Sequence, residues 1–169
     1  MDYEWLEKQY DFGFVYGLFI PTAERSDVRT SLPGKKFWPN YVGLAGTYYF
    51  DEDRTWAISF LSRYEIPSER EDKDIQPGQN FSFEWGLSRN FEKTTDIGIS
   101  GYCSWQTTLD SGTDVDYVNV LDRVFGAGPE INYFSPKYKI GYNFRAWWEF
   151  GARDRTQGQI ITLTLVKPF

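Results

Sequence analysis

The chain closes on Ile161-Thr162-Leu163-Thr164-Leu165-Val166-Lys167-Pro168-Phe169, where apolar residues fall at every second position except Lys167. Successive side chains of a strand point to opposite sides, so such a run makes one apolar and one polar face. An amphipathic last strand ending in an aromatic is the usual form of the C-terminus of a bacterial outer-membrane β-barrel, whose strands alternate between lipid and lumen. Soluble sheets alternate too, so the run is weighed with the rest of the chain.

Upstream, the pattern returns in segments bounded by turn residues. Residues 9–20 set Tyr10, Phe12, Phe14, Tyr16, Leu18 and Ile20 against Asp11, Gly13 and Gly17. Residues 37–50 form a less regular second segment. In residues 55–66, Trp56, Ile58, Phe60 and Tyr64 oppose Ala57, Ser59, Arg63 and Glu65. In residues 80–91, Phe81, Phe83, Trp85 and Leu87 oppose Ser82, Glu84, Gly86 and Ser88. Residues 96–107 set Ile97, Ile99, Cys103 and Trp105 against Ser100, Ser104 and Gln106. Residues 123–134 set Phe125, Ala127, Ile131 and Tyr133 against Gly126, Gly128, Glu130 and Asn132. Residues 138–150 set Tyr138, Ile140, Tyr142, Phe144, Trp148 and Phe150 against Lys139, Asn143, Arg145 and Glu149. The last segment starts near Gln159. The expected fold is all-β: an antiparallel, up-and-down transmembrane β-barrel of about eight strands, with 1–169 as one domain.

Connection lengths alternate as well. Residues 51–54, 92–95 and 135–137 are short, whereas 21–36, 67–79 and 108–122 are long and rich in charge, Gly, Pro and Ser. Short periplasmic turns and longer extracellular loops are the rule in outer-membrane barrels. An even strand count puts both chain ends on the turn side. Phe50, Trp56, Phe91, Tyr133, Tyr138 and Phe169 fall near the short turns; Trp38, Tyr64, Phe81, Trp105, Phe125 and Trp148 fall toward the long loops. Two aromatic belts at two membrane interfaces would have this distribution.

Composition agrees. Aromatics are 20% of the 169 residues, yet mean hydropathy is −0.53 and no apolar run approaches the ~20 residues of a spanning helix. The net charge of −6 without a basic cluster argues against nucleic acid. The one cysteine, Cys103, excludes an intrachain disulfide and reads as a small hydrophobe on the apolar face. Residues 1–8 lack the basic start and apolar core of a signal peptide. They read as a leader or the remnant of a missing strand, and the chain as the C-terminal part of a larger barrel.

No catalytic residue is expected. With no histidine, the commonest base of nucleophilic catalysis is missing. Several inward Glu residues exist, but no spacing selects an acid–base pair. No cofactor is expected, and no His/Cys spacing suggests a metal. The loop acids Glu69, Glu71, Asp72, Asp74, Asp110, Asp114 and Asp116 follow no calcium-loop pattern and read as solvated charge. Arg153, Asp154 and Arg155 either face lipopolysaccharide phosphates or sit in an exposed turn. The candidate lumen-lining set is Asp11, Arg63, Glu65, Glu84, Glu130, Asn132, Asn143, Arg145 and Glu149, with Lys139 also on that face. A charge inside a small barrel must be paired or hydrated, so Arg63 and Arg145 should pair with Glu65, Glu84, Glu130 and Glu149. That network either fills the interior or forms the constriction of a pore. Pro129 within a strand predicts a bulge or a missing ladder bond.

Several blocks carry a family resemblance: residues 47–56 (Thr-Tyr-Tyr-Phe-Asp-Glu-Asp-Arg-Thr-Trp), 63–66 (Arg-Tyr-Glu-Ile), 83–86 (Phe-Glu-Trp-Gly), 122–130 (Asp-Arg-Val-Phe-Gly-Ala-Gly-Pro-Glu) and 148–155 (Trp-Glu-Phe-Gly-Ala-Arg-Asp-Arg). They resemble the outer-membrane proteins of the MetA-pathway of phenol degradation, or SphA-like, family, from about Tyr10 onward. The resemblance implies a Gram-negative outer-membrane barrel that passes small hydrophobic or aromatic compounds. Members are generally longer, with further strands upstream. The partners to expect are outer-membrane lipid, lipopolysaccharide, a small hydrophobic solute and, through the strand ending at Phe169, the barrel-assembly machinery. Two other readings stand beside this one. One is a non-transporting structural barrel with a filled interior. The other is a soluble, calycin-like binding barrel whose apolar face lines the cavity.

Overall fold

The computed structural model describes residues 9–20, 38–70, 73–115 and 120–168. Eight strands follow one another: β1 (Tyr10–Leu18), β2 (Asn40–Tyr49), β3 (Trp56–Ile66), β4 (Asn80–Phe91), β5 (Thr95–Gln106), β6 (Arg123–Ser135), β7 (Ile140–Arg153) and β8 (Gln159–Val166). They form one antiparallel sheet in sequence order, an up-and-down meander. No described residue after Tyr10 is helical.

Register keeps like faces together. Phe12 pairs with Gly46, Gly46 with Phe60, Phe60 with Trp85, and Phe83 with Cys103 and then Phe125. A one-residue slip in any pair would turn apolar side chains onto the charged face, and that penalty fixes the register. The apolar face is open: Phe12 is 76% exposed and Ile161 69%, and Phe60, Ile99, Ile131 and Phe144 are exposed as well. Phe83 is half-buried, stacked on Phe60 with centroids 6.2 Å apart. Only Val124 and Ala146 are buried hydrophobics among the described residues, so the sheet has no sandwich core.

The sheet curls toward its polar face. Strands three places apart in a flat sheet lie about 14 Å from each other. Yet Arg145 of β7 reaches 3.8 Å from Glu84 of β4, and Trp147 of β7 donates to Ser100 of β5. Polar side chains thus predominate on the concave side, where Tyr102 and Trp147 are also found, and the exposed apolar and aromatic ones lie on the convex side. A soluble binding cup needs the reverse.

The ends of the meander do not meet. β1 pairs only with β2 and β8 only with β7, so no ladder joins residues 13–18 to residues 162–165. The described sheet is open, with two free edges, and the expected closure is not formed within it.

Local departures have local causes. β7 begins at Ile140, because 136–139 form the turn and Lys139 sits there at φ 52°, exposed instead of inward. β7 also continues to Arg153: Gly151 takes φ 63° and a register shift between Arg123 and Phe125 absorbs the extra residue. The irregularity expected at Pro129 is a gap. Pairing of β6 with β7 skips Gly128 and Pro129 and resumes in the same register at Glu130↔Arg145. Proline has no N–H for the ladder. Phe169 and the loop over 21–37 lie outside the described residues.

Candidate functional site

Parity along β3 to β7 directs Arg63, Glu84, Ser100, Tyr102, Glu130, Asn132, Asn143, Arg145, Trp147 and Glu149 onto the concave face. Arg63 Nη2 donates to Glu84 Oε1 at 2.5 Å. Arg145 lies between Glu84 Oε2, 3.8 Å from its Nη1, and Glu130 Oε1, 3.0 Å from its Nε. The Nε–H points off the line to Glu130 and makes no hydrogen bond. The Arg145 guanidinium also lies 5.3 Å from the Trp147 ring.

Glu130 gathers the other polar side chains. Asn143 donates to its Oε1 at 2.7 Å and Asn132 at 3.3 Å, while Asn143 also donates to Asn132 Oδ1 at 2.6 Å. Ser100 hydrogen-bonds the same carboxylate and accepts from Trp147 Nε1 at 2.8 Å. The pairing expected of Arg63, Arg145, Glu84 and Glu130 is therefore present.

The other predicted residues lie outside this centre. Glu149 accepts from the Tyr102 hydroxyl and, at 2.7 Å, from the Gly158 amide. Asp11 accepts from Tyr49 at 2.9 Å near the short-turn end, with Arg54 4.0 Å away. Glu65 lines the cavity at the long-loop end. Sequence reasoning passed over Tyr102 and Trp147, although parity alone places them between Ser100 and Ser104 and between Arg145 and Glu149.

Three cavities follow the concave face. One of about 400 Å³ at the loop end is lined by Arg63, Glu65, Ser82, Ser104, Asp122 and Arg155. One of about 330 Å³ in the middle holds Glu84, Ser100, Glu130, Arg145 and Trp147. One of about 490 Å³ at the turn end shares Ser59, Ser88 and Asn132 with the middle one. The Arg63–Glu84 pair stands between the first and the second. Arg155 is exposed in the turn after β7, as one of the two readings expected, and reaches back to the loop-end cavity, where its Nη1 donates to Ser104 Oγ at 3.2 Å. Burial, with Asp154 nearby, pushes the Asp122 carboxyl there above its usual range.

Above the loop end, the second and third long loops are tied together. Asp74 accepts from the Thr113 hydroxyl at 2.7 Å and the Thr113 amide at 3.0 Å; Asp114 accepts from the Asp74 amide at 3.0 Å; Asp110 accepts from the Gly78 amide at 2.7 Å. These acids, read as solvated charge, hold loops. Glu71, Asp72 and Asp116 lie outside the described residues. Among the described residues no group of His, Cys, Asp or Glu is placed to hold a metal ion.

The convex face carries two sets of rings. At the loop end Phe81, Trp105, Phe125 and Phe150 contact in succession across β4 to β7, and at the turn end Tyr10 meets Tyr48 and Tyr133 meets Tyr142. Set against families of known proteins, residues 1–165 match the family described as "Putative MetA-pathway of phenol degradation". The chain belongs to that family. Membership ties this MetA-pathway chain to phenol-related processes and agrees with the resemblance carried by its spaced blocks. Neither a curated protein nor a solved structure matches the chain.

Proposed function

We propose that this chain forms the wall of a bacterial outer-membrane β-barrel that passes small hydrophobic or aromatic compounds, without catalysing a reaction on them. The observation that carries the reading is the sidedness of the curl, with exposed aromatics on the convex face and paired charges on the concave one. Lipid accepts the first arrangement, and a water-filled path accepts the second. The two ring sets suit two interfaces, and the tied loops suit the longer-loop, extracellular side. The free edges must then be paired in the bilayer, because a lipid-exposed amide has no water to bond. In this reading lipid and lipopolysaccharide meet the convex face, and the barrel-assembly machinery engages the C-terminal strand.

The filled structural barrel is the second reading, favoured by the Arg145 network across the middle of the concavity. Conductance in planar bilayers, together with uptake of a labelled aromatic into vesicles with a lipopolysaccharide outer leaflet, separates the two. Stepwise conductance and uptake above protein-free vesicles support passage. A protein that fractionates with the outer membrane but adds neither is the structural barrel.

A further inference from the structure

We propose that the convex face of β1 to β4 carries a site for one anionic glycerophospholipid, with Arg89 on the headgroup phosphate and an acyl chain in the groove between Phe12 and Trp85. The site rests on the reading that this face meets lipid.

Register carries one set of side chains across the convex face of β1 to β5, and in that set Arg89 alone is charged. It lies between Trp56 on β3 and Ile97 on β5, with Leu87 and Phe91 along its own strand. A cation on an apolar face is retained where it can reach an anion or water. Arg89 is exposed, and its guanidinium lies 5.7 Å from the Trp56 ring centroid and 5.2 Å from that of Phe91. Those rings hold the cation flat and leave its N–H groups free to donate. Among the described residues no carboxylate stands within ion-pair distance of it.

A groove of about 410 Å³ opens on the same face, lined by Tyr10, Phe12, Tyr48, Ile58, Phe60 and Trp85. Ile58 pairs with Leu87, so the groove begins one row, about 7 Å along the strand, from Arg89. Arg89 is at the short-turn end and the groove runs from it toward the middle of the sheet. A phosphate held by Arg89 therefore delivers its acyl chain into the groove, where apolar walls take it. The short turns belong to the periplasmic side in the barrel reading, which makes the lipid a phospholipid and not lipopolysaccharide. A zwitterionic lipid already carries its own counter-charge, whereas an anionic one gains it from Arg89.

The test is native mass spectrometry of the full chain released from detergent micelles that hold equimolar phosphatidylglycerol and phosphatidylcholine. One phosphatidylglycerol should be retained about fivefold over phosphatidylcholine, the preference that one arginine near a lipid surface supplies. Arg89→Gln should abolish that preference, Arg89→Lys should keep most of it, and Arg123→Gln, at the loop end, should leave it unchanged. Ile58→Trp, which fills the groove beside Arg89, should lower retention of phosphatidylglycerol as Arg89→Gln does. Equal retention of the two lipids, or a preference that survives Arg89→Gln, overturns the site. Displacement of the bound lipid by soluble glycerol phosphate overturns the acyl-chain half of it. Quenching of tryptophan emission in vesicles of phosphatidylcholine with brominated chains tests the membrane reading separately. Quenching without a preference for phosphatidylglycerol removes the site and leaves the barrel, and an absence of quenching removes both.

Discussion

Removing the Arg145 guanidinium would leave Glu84 and Glu130 facing each other across the concavity. Glu130 would feel this most, because its side chain is only 13% exposed. Arg145→Met should therefore destabilise the fold by about 1–3 kcal/mol. A fully buried pair would cost more, but Arg145 keeps about a third of its surface in solvent. Urea unfolding in lipid vesicles measures it; a change below ~0.5 kcal/mol would mean that the pairs are surface-like. The turn at Glu92 and Lys93 offers the opposite sign. Both residues hold positive φ, 53° and 61°, and the Thr94 amide closes the turn on the Phe91 carbonyl at 3.2 Å. Glu92 and Lys93 are the central residues of that turn, both in the left-handed region that favours glycine, so Lys93→Gly should stabilise by up to about 1 kcal/mol in the same assay. At this scale parity made Arg63, Glu84, Glu130 and Arg145 legible as one inward set. Which partner each takes depends on curvature, which a period of two does not encode. Hence Glu149 was expected to pair with arginine, whereas it bonds Tyr102.

Strands were the most legible elements, because alternation reports the faces directly. β4 and β6 begin at the residues the pattern marks, Asn80 and Arg123. Their edges were harder where glycine allows a backbone that no polarity pattern records. Gly151 carries β7 beyond its expected end in this way, and Gly128 lets the Ala146 carbonyl come close. A Cβ at Gly128 would lie 1.9 Å from that oxygen, a backbone atom with little room to yield. Gly128→Ala should cost roughly 1–3 kcal/mol as overpacking and speed amide exchange in β6 and β7 before other strands. The tie between the long loops was not legible, because it joins residues some forty positions apart. Its pH dependence follows from Asp74, whose carboxyl the Thr113 hydroxyl and then the Thr113 amide hold below its usual range. A depressed acid stabilises above its unfolded pKa and loses that contribution as pH falls through the folded value. The loops should thus stay tied at neutral pH and loosen only in acid below the ordinary carboxylate range. Asp74→Ala should loosen them at neutral pH, read as faster proteolysis or amide exchange at 73–79 and 107–115. Unchanged protection in Asp74→Ala would show that Asp110 and the Gln76–Ser111 bridge suffice.

For the whole molecule the governing quantity is edge pairing. Composition and alternation anticipated one sheet with two chemically distinct faces, but not how its ends are met, since that depends on strands and curvature outside any single segment. β1 and β8 each leave one row of backbone groups without a strand partner in the described sheet. Soluble proteins protect such edges with inward charges or prolines, yet β1 has only Asp11 and β8 has neither. Water can satisfy those groups, but a bilayer cannot, at several kcal/mol for each one left bare. The proposed membrane reading therefore makes a specific demand. In lipid, the outward-directed amides of β1 and β8 should exchange as slowly as those of β4 and β5, because other strands must cover them. In urea-dispersed chain the difference between edge and centre disappears as all amides become fast. Hydrogen exchange followed by fragment mass measurement on vesicle-inserted protein resolves residues 10–18 and 159–166 separately. Slow central strands with fast edges in lipid would mean that the sheet lies against the membrane with its rims in water, and the barrel proposal would then fall.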